Sequence, residues 1–175
     1  MTSVYQSVTP VIVEKLQDIV GQRYVVYGDA EQLESYSHDE IADPHYAHLP
    51  EVVVKPESSE EISALMKLAN QEKIPVTPRG AGSGLSGGAV PVFGGIVLSI
   101  ERMNKVIDLD RENMTITVEA GMITSQINEL LEEYDLFYAG YPMSLETCYI
   151  GGNVAENAGG GKAIKYGVTD RYVQG

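Results

Sequence analysis

The sequence predicts an α+β fold, and three observations predict it. Residues 51–77 read as a strand, a helix and a second strand. Residues 105–134 read as a β-hairpin followed by a helix. Two glycine-rich polar stretches, 78–88 and 140–161, read as long loops that interrupt these units.

Taken in order, "TPVIVEKLQDIV" (9–20) predicts a helix with Thr9 as N-cap and Pro10 at its first position. Ile12, Leu16, Ile19 and Val20 fall on one face of it. A second short helix is predicted to start at Asp29, and "SHDEIADPHYAHLP" (37–50) reads as loop. "EVVVK" (51–55) is a continuous apolar strand, the pattern of burial on both faces. Pro56 ends it. Ser58 and Glu61 then make a capping box, and Ile62, Leu65, Met66 and Ala69 form the apolar stripe of a helix. "IPVT" (74–77) returns as a strand parallel to the first. "GIVLSI" (95–100) is another strand. "KVIDLD" and "TITVEA" flank the turn "RENM" as a hairpin, with Ile116, Val118 and Ala120 on one face. "TSQINELLEEY" (124–134) is a helix with Thr124 as cap and Ile127, Leu130, Leu131 and Tyr134 inward.

The 175 residues suffice for one domain, or for two small subdomains sharing a core. Twelve Lys and Arg stand against twenty-five Asp and Glu, a net charge of −13. That balance excludes a nucleic-acid-binding role, because phosphate backbones demand a basic face. A single cysteine, Cys148, forbids an internal disulfide, and its setting suggests a core or cofactor-wall thiol rather than a reactive one. The N-terminus lacks the features of a signal peptide, no apolar run approaches a membrane span, and a cytoplasmic setting is expected. His38, His45 and His48 share a loop with Asp39, Glu40 and Asp43, but Pro44 breaks helical spacing. The group reads as solvated, and no metal is expected.

"PRGAGSGLSGG" (78–88) carries five glycines and satisfies G-x-G-x-x-G through Gly82, Gly84 and Gly87. In a Rossmann fold those glycines open a helix whose N-terminus holds the pyrophosphate. Here "GAVPVFGGIVLSI" follows, and Pro91 with Gly94-Gly95 forbids such a helix. A Walker loop fails as well, for want of Gly-Lys-Ser/Thr. Such a run can still form an anion nest, in which consecutive main-chain N–H groups converge on a phosphate and glycine makes left-handed backbone cheap; the other reading is a flexible surface loop. Gly82 and Gly84 are the expected left-handed positions, Arg79 a charge partner for the phosphate, and Ser83 and Ser86 further donors. The second stretch adds Gly151, Gly152, Gly159, Gly160 and Gly161, with Asn153 and Asn157 placed to pair with the polar edges of a flat ligand.

Arg79 to Gly88, Ile150 to Gly160 and Tyr166-Gly167 together resemble the FAD-binding domain of the vanillyl-alcohol-oxidase-type (PCMH-type) flavoproteins. Within that family the similarity is greatest to the D-lactate dehydrogenases and the flavoprotein subunit of glycolate oxidase, and it runs from about Leu33 to the last residue. The resemblance implies two α/β subdomains with FAD extended between them: a helical lead-in over 1–32, a first subdomain over 33–92 and a second, incomplete one over 93–175. It implies that Arg79, Gly80, Ala81, Gly82, Ser83 and Gly84 wrap the pyrophosphate. Pro142, Met143, Ser144 and Thr147 would run along the flavin and ribityl side, and Gly151, Gly152, Asn157 and Gly159 would line the rest. Apart from the resemblance, the eleven tyrosines read as packing residues, with Tyr141 or Tyr166 as candidates to flank the flavin. Some relatives attach the flavin to a histidine where this chain has Ser83, so non-covalent FAD is expected.

The implied parent activity is oxidation of a lactate- or glycolate-like 2-hydroxy acid, with hydride passing to flavin and electrons onward to a partner. Its catalytic residues lie on a C-terminal cap domain. "RYVQG" (171–175) looks like the start of a strand cut short, which predicts a fragment ending before the last strands of the domain and itself without catalysis. Two other readings remain at this point: a truncated module that binds flavin weakly or not at all, and a generic nucleotide-binding module.

Overall fold

The computed structural model describes residues 4–41, 43–140 and 142–175, which form two compact units, Met1–Arg102 and Met103–Gly175. In the first, α1 (Pro10–Val20) begins where Thr9 Oγ1 accepts the Ile12 N–H at 3.4 Å, with proline pre-set for the first turn. It buries Ile12, Val13, Leu16 and Val20. There follow β1 (Val25–Val26), α2 (Ala30–Glu34), capped by Asp29, β2 (Val52–Val54), α3 (Ser59–Glu72), β3 (Val76–Arg79) and β4 (Ile96–Ser99).

The four strands form one sheet in the order β1-β2-β4-β3, with β2 and β3 both parallel to β4 and β1 antiparallel to β2. Strand alternation divides the core. Val52, Val54, Ile96 and Leu98 join α1 together with Leu65, Ala69 and Ile74, whereas Val53 and Val97 face Leu33 on the other side. The expected continuous apolar strand is therefore wholly buried, and each of its valines contributes roughly 1.5–3 kcal/mol of transfer free energy.

Four expectations need correction here. The first unit continues to Arg102 rather than closing at residue 92, because β4 is an interior strand of the same sheet. Residues 1–32 are not a separate lead-in, since α1 completes the core shared with α3. The capping box is displaced by one residue: Ser58 Oγ accepts the Glu61 N–H, but the Glu61 carboxylate takes the N–H of Glu57 rather than that of Ser58. Met66 is exposed, and Leu68 packs against the core in its place.

In the second unit, β5 (Val106–Asp110) and β6 (Thr115–Val118) make the expected hairpin, pairing Val106 with Val118 and Asp110 with Thr115. Met122, Ile127 and Leu131 form its core with α4 (Thr124–Glu132), and Ile116, Val118 and Leu130 pack around them. Thr124 is not the cap. It is the first residue inside α4, fully buried, and Ile123 occupies the cap position without a side-chain bond. Tyr134 lies beyond the helix, with the Arg111 guanidinium 4.7 Å from its ring centroid. The second glycine-rich stretch is not one loop, for it contains α5 (Ile150–Ala155), and α6 (Ala163–Tyr166) follows it. Nor do residues 171–175 begin a strand: Thr169–Tyr172 form a 3-10 turn. Among the described residues no helix is long and apolar enough to cross a membrane.

Candidate cofactor site

The glycine run leaves the carboxyl end of β3 and returns to β4 through turns and bends, with no helix between them. The structural context of a Rossmann fingerprint is thus absent. Its left-handed positions are Gly82 (φ +76°) and Gly87 (φ +79°). Gly84, expected to be one, is not. Glycine at 82 is required twice over, because a Cβ there would fall within the Arg79 guanidinium. Residues 80–84 are half-buried, and among the described residues no protein acceptor takes the amides of Ala81 to Gly84.

Arg79 does not stand at the mouth of the loop. Its side chain is buried, and its guanidinium donates to main-chain carbonyls: Nη1 to His38 O at 2.7 Å and Ala89 O at 3.4 Å, Nη2 to Ser35 O at 3.2 Å. Burial lowers its pKa, partly countered by Tyr36 and Asp39. The expected charge partner for a phosphate is a strut, because five fixed donors on a planar fork satisfy several carbonyls at once.

In the sequence Asp39 has the setting of a solvated loop acid. It is instead buried, with Oδ2 accepting the Gly87 N–H at 2.8 Å and Oδ1 the Ile41 N–H at 3.0 Å. The Glu40 N–H donates to Gly84 O at 3.0 Å. Nothing local in the sequence announces the bonds to Gly87 and Gly84, which join residues more than forty positions apart. In the same loop His45 pairs with Asp43 at 2.7 Å on the surface. Among the described residues no three of His, Cys, Asp and Glu gather as metal ligands.

A polar cluster lies just past the carboxyl ends of β2 and β4. Lys55 Nζ meets Glu101 Oε1 at 2.8 Å, while Glu101 Oε2 accepts from Tyr36 OH at 3.1 Å and from Ser99 Oγ at 3.0 Å. Burial pushes Glu101 up, but Lys55, Ser99 and Tyr36 outweigh it and hold the carboxyl below its usual value. Lys55 is correspondingly raised, its hydrogen bonds to Glu101 and Tyr36 overcoming desolvation. Tyr36 is raised, chiefly by burial.

In the second unit, Thr124 organises the glycine-rich stretch. Its hydroxyl donates to Cys148 O at 3.3 Å and accepts from Asn153 Nδ2 at 2.6 Å and Cys148 Sγ at 3.4 Å. Asn153 is therefore buried and turned inward, not toward a ligand. Asn157 is left-handed (φ +50°) and its Oδ1 accepts the Asp170 N–H at 2.9 Å, which closes the end of α5. Gly151 and Gly152 lie in the first turn of α5, and the Gly151 N–H is taken by Ala120 O at 2.8 Å. Gly152 is half-buried, with nothing within 4 Å of where a Cβ would stand. Pro142 is buried, Met143 exposed, and Thr147 Oγ1 donates to Ser144 O at 3.2 Å. Gly159 is exposed, and a Cβ there would press on Val168. Tyr166 packs edge-on to Phe137 with ring centroids 5.9 Å apart, whereas Tyr141 lies outside the described residues.

Comparison with known proteins bears on this geometry. Residues 50–175 match the family model described as "FAD binding domain". The chain is 43% identical over 170 residues to a D-lactate dehydrogenase of Anaerostipes hadrus, covering 97% of this chain and 35% of that protein. It is 41% identical over 140 residues to the glycolate oxidase subunit GlcD of Bacillus subtilis, covering 80% and 29% respectively. Among solved structures, an alkyldihydroxyacetonephosphate synthase superposes with a TM-score of 0.84 at 23% identity, over 98% of this chain and 33% of that one. The chain thus spans about a third of the length of the relatives it matches. The matched segment takes in β2, the glycine run and the whole second unit. This chain belongs to the FAD-binding domain family, with the PCMH-type fold and FAD as its cofactor.

Proposed function

We propose that the chain is the FAD-holding portion of a flavin-dependent dehydrogenase or oxidase of 2-hydroxy acids, the substrate being lactate- or glycolate-like. The observation that carries this reading is the donor set of the glycine run. Half-buried main-chain amides from Ala81 to Gly84 stand beside the Ser83 hydroxyl, with no protein acceptor among the described residues taking those amides. Such a set suits a diphosphate, whose oxygens accept hydrogen bonds, and lets a chain of net charge −13 hold an anion locally. Gly80 is assigned to the diphosphate with Ala81 to Gly84, and Arg79 supports the run through its bonds to main-chain carbonyls. In the second unit Pro142, Met143, Ser144 and Thr147 are assigned to the flavin and ribityl side, and Gly151, Gly152, Asn157 and Gly159 to the remainder of the cofactor.

When bound, FAD supplies the two-electron acceptor that dehydrogenation of a C–OH group needs. The residues of this chain bind and orient. Recognition of the substrate carboxylate and uptake of its hydroxyl proton are assigned to the remaining two-thirds of the length seen in the relatives. A partner subunit that receives electrons is proposed on the same footing, since one relative is by name a subunit of glycolate oxidase.

Titration of the chain with FAD, followed by flavin fluorescence and visible absorption, tests the reading. The expected result is a yellow one-to-one complex that releases all its flavin on acid precipitation, as non-covalent binding beside Ser83 requires. A chain that stays colourless would overturn it in favour of a module without flavin, and preference for ATP over FAD would point to a generic nucleotide site.

A further inference from the structure

The glycine run is held in shape from outside by the segment that follows α2, and none of those ties uses the amides assigned to the cofactor. Arg79 Nη1 reaches His38 O and Ala89 O, and Nη2 reaches Ser35 O. Asp39 Oδ2 takes the Gly87 N–H, and the Glu40 N–H donates to Gly84 O. Both ends of the run are therefore anchored to residues 35–40, while the stretch between keeps its own donors. A loop this rich in glycine has the largest conformational freedom to lose on ordering. Whatever orders it before the ligand arrives removes that cost from binding.

We propose that residues 35–41 act as a clamp that presets the cofactor loop, with Asp39 and Arg79 as positioning residues rather than phosphate ligands. The inference rests on the reading that this run holds the diphosphate. A carboxylate suits position 39 because both of its oxygens accept, one from Ile41 and one from Gly87. An amide has one acceptor oxygen, and its NH2 would confront a second N–H. A guanidinium suits position 79 because three carbonyls surround it. A lysine there keeps the charge and loses the fork.

The test compares Asp39→Asn with Leu33→Ala in the full chain. Leu33 is buried against Val53 and Val97 and touches none of these ties, so its truncation lowers global stability without entering the loop. Two quantities are read: amide hydrogen exchange of residues 80–88 in the cofactor-free protein, and the dissociation constant for FAD. Asp39→Asn is expected to speed exchange in the loop and weaken FAD by about ten-fold, while Leu33→Ala lowers the melting temperature and leaves FAD affinity within about two-fold. Equal loss of affinity in both variants would reduce Asp39 to a merely structural residue and overturn the proposal. So would unchanged loop exchange in Asp39→Asn.

Arg79→Lys supplies a second route should Asp39→Asn fail to fold. A preset loop predicts weakened FAD binding in the lysine variant with a salt dependence like that of the unsubstituted chain. A phosphate-facing cation predicts retained affinity that falls with salt, and that result would overturn the clamp. If the unsubstituted chain binds no FAD, the reading of the site fails and the inference falls with it. If unsubstituted chain and variants bind equally, the inference alone fails.

Discussion

The two glycine-rich stretches share a composition and little else. The first, after β3, contains no regular structure and takes its shape from side chains and amides of residues 35–40. The second is interrupted by α5, is followed by α6, and is organised from one buried hydroxyl, that of Thr124, and one left-handed asparagine, Asn157. Glycine therefore means different things in the two places. At Gly82 it provides a backbone conformation and room for a guanidinium that no other residue would leave. At Gly152, with nothing within 4 Å of a prospective Cβ, it provides open space above a helix. Composition alone marks both stretches as loops; only the partner groups distinguish a clamped loop from a capped helix.

The largest test of that contrast is a matched pair of substitutions. Gly82→Val is expected to abolish FAD uptake, by about a hundred-fold or more, through both strain at positive φ and collision with Arg79. Gly161→Ala, at an exposed site likewise with nothing within 4 Å of a Cβ, should fold and retain flavin within a few-fold, read as flavin content after gel filtration. Equal losses would erase the distinction. Next in size, Thr124→Val leaves the buried Asn153 amide without its acceptor and should cost about 1–3 kcal/mol of unfolding free energy in a denaturant titration. Asn157→Ala should cost about 1–2 kcal/mol, and Asn157→Gly less, since glycine accepts the left-handed backbone but loses the bond to Asp170.

The smallest effect is a pH dependence confined to the first unit. Glu101 lies below its usual value of 4.5 in the folded chain, so the stability it confers is complete above that value and is lost as pH falls through the lowered one. Glu101→Gln should flatten the acid limb of the melting-temperature profile without touching the neutral region. An unchanged acid limb would remove the Lys55–Glu101 cluster from any role in holding the strand ends.

Much of the framework was legible in the sequence because it depends on near neighbours. Thr9 and Pro10 start α1, Ser58 caps α3, and the unbroken valines of β2 announce a strand covered on both faces. The absence of a helix after Gly87 followed from Pro91 and the Gly94-Gly95 pair alone. What stayed hidden depends on residues brought together by the fold. β4 is an interior strand although it comes last of the four, so the unit boundary could not be placed at 92 by local pattern. Asp39 looked like any loop acid, because its partner Gly87 lies 48 positions away. The role of Arg79 is hidden for a related reason: beside a phosphate-binding motif a cation suggests an anion, whereas the carbonyls that take its donors come from residues 35, 38 and 89. Thr124 and Asn153 carried the residue types of a cap and a ligand contact, and a buried hydrogen bond between them supersedes both readings.

The strand order has a consequence for the birth of the molecule. β2 and β3 are each hydrogen-bonded to β4 and not to one another, and β4 is the last of the sheet's strands to leave the ribosome. Until residues 96–99 emerge, β3 has no strand to pair with and β2 has only β1 on one edge, so the parallel part of the sheet waits for β4. The segment that must bend back on itself for that final insertion is the glycine run, so the stretch assigned to grip the nucleotide is also the hinge on which the nascent sheet closes.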